Sequence, residues 1–107
     1  MALSEQTILM NFQEANRQAG RLEEIAADIM NVSDRDLEEE IRTISVSWKG
    51  ENADAFVGKT NMIKDKTKKS AQDLQKIAKT IRTIAKNTYD AEMRATEIAK
   101  NDAGSTM

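Results

Sequence analysis

Ser47-Trp48-Lys49-Gly50-Glu51-Asn52 stands almost at the midpoint of a 107-residue chain that has no proline, cysteine or histidine. It is the one place where the sequence invites a reversal. Gly50 can take the left-handed backbone that a helix C-terminus often needs. Asn52 is a good N-cap for a following helix, with Asp54 favourable in its first turn. Working outward, the order expected is helix 1 over about residues 4–46, a Trp-x-Gly turn over about 47–52, helix 2 over about 53–100, and a flexible tail over 101–107.

Before the turn, Ile8, Phe12, Ala15, Ala19, Leu22, Ala26 and Ile29 recur at alternating steps of four and three, one face of a helix. Ser4 is placed to cap its start, and Glu5 suits the positive end of the helix dipole. Leu37, Ile41, Ile44 and Trp48 continue the alternation, but the step from Ile29 to Leu37 is eight residues rather than seven. The intervening Asn31-Val32-Ser33-Asp34-Arg35-Asp36 is poor in helix formers, and Ser33 with Asp36 resembles a weak capping box. Two readings are open near Ser33: a kink or phase adjustment inside one long helix, which we prefer, or a true break.

Beyond the turn, Ala53, Phe56, Thr60, Ile63, Thr67, Ser70, Leu74, Ile77, Ile81, Ile84, Thr88, Ala91, Ala95 and Ile98 keep an unbroken three–four alternation. That is the seam of a coiled coil or bundle. Ala71, Ala78 and Ala85 flank it at seven-residue intervals and would widen it for a second neighbour. Near 50 residues at 1.5 Å each, this helix would run roughly 75 Å. Trp48 can fold its indole back over the end of the hairpin and pack near Phe56.

Composition narrows what such a hairpin can do. Apolar residues are 39% of the chain and only four side chains are aromatic, so a solitary hairpin has little to bury. The fold expected is therefore all-α: an antiparallel helix-turn-helix hairpin that dimerises into an elongated four-helix bundle. The interface would use Ile63, Leu74, Ile77, Ile81 and Ile84 of helix 2 with Phe12, Leu22, Ile29, Leu37 and Ile41 of helix 1. Residues 1–54 carry a net charge of −7 and residues 55–107 one of +5, so the two helices attract each other. Individual exposed pairs are worth only about 0–1 kcal/mol.

Chemistry finds little footing. Without His or Cys there is no imidazole for acid–base work, no thiol nucleophile and no thiolate metal site, and no glycine-rich loop could cradle a phosphate. Glu38-Glu39-Glu40 are contiguous, so they fan around a helix rather than converge on a metal. No catalytic residue, metal site or cofactor is expected, and the chain is read as a non-enzyme. No stretch approaches the roughly 20 apolar residues of a membrane span. The first twelve residues lack the basic start and apolar run of a secretory signal. Lys59, Lys64, Lys66, Lys68, Lys69, Lys76, Lys79, Arg82 and Lys86 could attract an anionic surface or nucleic acid. No aromatic side chain is interleaved with them for base stacking, which makes nucleic acid the weaker alternative. Another alternative is a cytoplasmic helical adaptor that binds a partner helix.

Trp48 and Gly50, continued by Ala53 and Phe56 in a Trp-x-Gly-x-x-Ala-x-x-Phe pattern, resemble the WXG (ESAT-like) family of small secreted proteins. Chain length, motif position and the two flanking helices agree over almost the whole sequence. The resemblance implies helical hairpins paired as homodimers or as heterodimers with a related hairpin. It also implies synthesis in the cytoplasm and export without a signal peptide by a bacterial type VII secretion system. A larger type VII toxin and the secretion ATPase are implied as further partners. Export in the family uses the turn motif of one partner beside a C-terminal Tyr-x-x-x-Asp/Glu of the other. Here Tyr89 is followed by Glu92 at the third position and Met93 at the fourth, so the match is incomplete. The recognition residues implied are thus Trp48 and Gly50, with Tyr89 and Glu92 as second-half candidates. Trp48 itself has two readings that are not exclusive: a buried ring pinning the hairpin end, or a surface ridge for a partner.

Overall fold

The computed structural model describes residues 3–48 and 50–105. Lys49, at the centre of the expected turn, and residues 106 and 107 of the expected tail lie outside them. The protein is all-α, a hairpin of two helical arms joined by a turn, with no strand among the described residues. Helix α1 is Glu5–Asn31, a π-helical turn follows at Val32–Leu37, α2 is Glu38–Ser47, and α3 is Glu51–Ser105.

Local chemistry accounts for most of these boundaries. Ser4 caps α1: its hydroxyl oxygen accepts the Thr7 N–H at 3.1 Å and its carbonyl accepts the Ile8 N–H at 3.0 Å. α2 ends at Trp48, whose backbone is extended (φ −108°, ψ 138°) although its N–H still reaches the Ile44 carbonyl at 2.8 Å. Gly50 then takes φ +110°. Its carbonyl accepts the Asp54 N–H at 3.1 Å, so Gly50 opens α3 and the helix begins before Asn52, the residue expected to cap it. The helix also outlasts expectation. It continues through Ser105, because 101–105 contains no proline to end it and its glycine is tolerated in a last turn.

The described residues fall into two compact units. One joins the chain up to Arg21 with the chain from Ile77 onward; the other comprises Leu22–Lys76. Within the first, antiparallel pairing is fixed by three contacts. The Thr96 hydroxyl donates to the Leu3 carbonyl at 3.3 Å, the Phe12 and Tyr89 rings lie 4.9 Å apart, and Arg82 donates to the Asn16 side-chain oxygen at 3.3 Å. Within the second, the Ser33 hydroxyl donates to the Lys64 carbonyl at 2.9 Å, and the Lys64 and Lys68 ammonium groups reach Glu38 at 2.7 Å and Asp34 at 3.8 Å. The ion pairs join the acidic first half to the basic second half, as does Lys100 with Glu5 in the first unit.

Small side chains make both cores. Ala19, Ala78 and Ala85 are buried in the first unit, with Ile8; Ala26, Ser33, Ala53 and Ala71 are buried in the second, with Ile41. Alanine and serine at a helix contact permit axial separations at the short end of the usual 8–10 Å or so. The flanking alanines of α3 are thus its inward row, the reverse of the role expected for them. Of the predicted seam, Leu74 and Ile81 are half-buried, whereas Phe56, Ile63, Ile77, Ile84 and Ile98 are exposed.

The segment around Ser33 resolves into the phase adjustment, not the break. Seven α-helical residues fall about 20° short of two turns. An eighth residue adds about 100°, and a π turn, bonded i to i+5, absorbs that residue without ending the helix. The capping-box reading is overturned. No side-chain cap bond forms at the start of the π turn, and Ser33 is fully buried with its hydroxyl spent on Lys64 of α3.

Candidate recognition surface

The turn presents an aromatic pair. Trp48 and Phe56 lie with ring centroids 5.9 Å apart and planes tilted by 49°, a favourable offset geometry. The pairing expected from sequence is present, but burial is not: Trp48 keeps 56% of its surface exposed and Phe56 is exposed beside it. Ala53, one turn earlier on α3, is buried. Spacing explains this split, since residues three apart on a helix are about 60° away from eclipsing, enough to put alanine inside and phenylalanine out. Gly50 holds its positive φ with nothing within 4 Å of where a β-carbon would stand, so backbone conformation and not crowding calls for glycine.

Tyr89 and Glu92 belong to the other unit, so the described structure does not gather them with Trp48 and Gly50 into one compact unit. They line an apolar groove of about 270 Å³ together with Ile8, Phe12, Ile81 and Ile84. Tyr89 is half-buried against Phe12, with planes tilted by 41°, and is a packed ring rather than a projecting hook. The Glu92 side chain is half-buried, and its backbone carbonyl accepts the Thr96 hydroxyl at 3.0 Å. The groove was not read from the sequence, yet a signal for it existed. Phe12 lies almost as far before Gly50 as Tyr89 lies beyond it, so folding the chain at the glycine brings the two rings opposite each other.

The ten residues expected at an interface divide in two. Ile41 is buried, and Phe12, Leu22, Ile29, Leu37, Leu74 and Ile81 are half-buried within the chain's own helix pairs. Ile63, Ile77 and Ile84 are exposed, and Ile98 and Phe56 extend the same seven-residue spacing on α3. On α3, Ile63, Ile77 and Ile84 therefore face outward while Ala71, Ala78 and Ala85 face in. Surface arranged in this way is suited to covering by another helix.

Electrostatics add local definition. The Lys64 ammonium holds the Glu38 carboxyl below its ordinary range, chiefly through their hydrogen bond, and Glu38 raises Lys64 in turn. On α1, hydrogen bonds from Arg17 and then Gln18 lower Glu14 to about 2. Among the described residues, no group of three His, Cys, Asp or Glu side chains is arranged to hold a metal ion, and no helix is long and apolar enough to cross a membrane.

Comparison with known proteins gives one match. The family model WXG100, described as proteins of 100 residues with WXG, matches residues 7–93. That span takes in Trp48, Gly50, Tyr89 and Glu92. No curated protein and no solved structure matches the chain.

Proposed function

This chain belongs to the WXG100 family of small helical type VII secretion proteins, and on that premise we propose that it is exported by, or escorts a partner through, such a system. It works by laying its exposed α3 face against a second helical hairpin, a copy of itself or a related chain. The observation that carries this reading is the outward row of large apolar side chains: Phe56 and Ile63 in one unit, Ile77, Ile84 and Ile98 in the other. A helix that buries Ala53, Ala71, Ala78 and Ala85 and displays Ile63, Ile77, Ile84 and Ile98 has hydrophobic free energy still to gain by association.

Trp48 is the recognition knob. Its exposure supports contact with the export machinery and leaves it little part in holding the hairpin closed. The second half of the composite signal comes from the partner. Tyr89 is packed on Phe12, and Met93 stands where the family pattern has an acid. Replacing Trp48 with Ala tests this in the native host. Secretion should be lost while helicity and dimer mass of the purified protein are retained; undiminished secretion removes the recognition role.

A further inference from the structure

We propose that Val32–Leu37 is a single-residue insertion in a seven-residue helix pattern, a removable register device that sets which α2 residues meet α3. This inference rests on packing within one unit and not on the proposed secretion role.

Two rows of side chains slip together at this segment. The buried row runs Ala26, Ser33, Ile41, with a step of seven and then eight; the half-buried row runs Leu22, Ile29, Leu37, Ile44, with steps of seven, eight and seven. Both eight-residue steps span the π turn, and no other step in either row departs from seven. Had the helix stayed α-helical throughout, Ile41 would stand about 100° from the line of Ala26 and Ser33, facing away from α3.

Lys64 of α3 records the correction. The Ser33 hydroxyl bonds its carbonyl at 2.9 Å and the Glu38 carboxylate pairs with its ammonium at 2.7 Å. Ser33 and Glu38 are five apart. Five α-helical residues turn about 140° past a full circle, which would point the two away from each other; in a π turn, residues five apart stack. The intervening Asp34, Arg35 and Asp36 are exposed, so the extra residue is accommodated on the solvent side.

Deleting Arg35 makes both eight-residue steps seven. Ser33 and Glu38 become four apart, neighbours on an ordinary α-helix and still able to reach Lys64. The turn should then convert to α-helix with the hairpin intact. Deleting Glu24, an exposed α1 residue, removes the same length but shortens the step from Leu22 to Ile29 to six, rotating Ala26 off the core. Arg35→Ala controls for the side chain.

Thermal unfolding followed by circular dichroism reads the outcome. The Arg35 deletion should melt at or above the parent temperature with unchanged tryptophan emission. The Glu24 deletion should fall by about 8 °C or more, a shift well outside that of a neutral surface change in a domain of this size. Arg35→Ala should match the parent. An Arg35 deletion that melts as low as the Glu24 deletion, or that keeps an i to i+5 turn by NMR, overturns the proposal.

Discussion

Replacing Ile77 and Ile84 together with Asp should convert a dimer into a folded monomer. Ile77 is 49% exposed and Ile84 58% exposed, and the two stand seven residues apart on α3. Full burial of an isoleucine is worth about 1.5–3 kcal/mol, so the half still exposed offers roughly 1 kcal/mol per side chain on association. Four such side chains meet in a symmetric pair, giving about 4 kcal/mol, or close to a thousandfold in Kd. Burying carboxylates without partners raises the loss further. The variant should stay helical, because the buried rows of Ala78 and Ala85 are untouched. Light scattering and sedimentation equilibrium would follow the mass across micromolar concentrations, with circular dichroism confirming helicity at each. A variant that remains dimeric and fully helical would refute the assignment of this face. A parent chain that is monomeric and well ordered at the same concentrations would refute the need for a partner altogether.

Two glycines should respond oppositely to one substitution. Gly50→Ala should destabilise by about 1–3 kcal/mol because of the backbone angle alone, lowering Tm by about 4–8 °C per kcal/mol. Gly58→Ala, inside α3 and with nothing within 4 Å, should stabilise by up to about 1 kcal/mol, raising Tm on the same scale. Equal shifts for both would contradict the +110° angle at Gly50. Acid should weaken the Leu22–Lys76 unit through Glu38. Its carboxyl is lowered from an ordinary value of 4.5, so its stabilisation is complete above that pH and is lost as pH falls through the lowered value. The raised Lys64 behaves in mirror image, its share complete below 10.5 and lost as pH rises through its raised value. Glu38→Gln should therefore flatten the acid limb of a Tm-against-pH curve below about pH 4.5; an unchanged limb would show that the pair contributes nothing.

The hairpin was legible because its determinants are local. Gly50 among long proline-free helical segments, Ser4 before an acidic first turn, and the eight-residue step after Ile29 each act over a few residues, where spacing translates directly into geometry. The motif at Trp48, Gly50, Ala53 and Phe56 was legible for the same reason. Less legible was which stripe of α3 faces inward. Its apolar surface is wide enough to serve two neighbours, and periodicity weighs isoleucine above alanine. The packing of two close helices weighs them the other way, since the nearest approach selects the smallest side chains. Ser33 misled for a related reason: in sequence it is a cap residue beside acids, while in the structure its small size and single hydroxyl fit the helix contact and satisfy a carbonyl there. Tyr89 was read for its place in a motif, and only the antiparallel register reveals Phe12 beneath it.

That reversal of rows bears on how the molecule associates. A hairpin whose buried residues are mostly alanine, with Ile8 and Ile41 the large exceptions, gains less hydrophobic energy from its own contact than one closed on isoleucines, because each alanine buries far less area. Capping at Ser4 and the Lys64 and Lys100 ion pairs add to its stability, and covering Ile63, Ile77, Ile84 and Ile98 would add more. Folding and partnership are then linked: any chain that covers the outer row stabilises the hairpin by mass action. The same linkage means that the hairpin would loosen as such a chain leaves. Trp48, paired with Phe56, keeps its exposure at the turn within the Leu22–Lys76 unit, so a chain that covers Phe56 would also meet the indole.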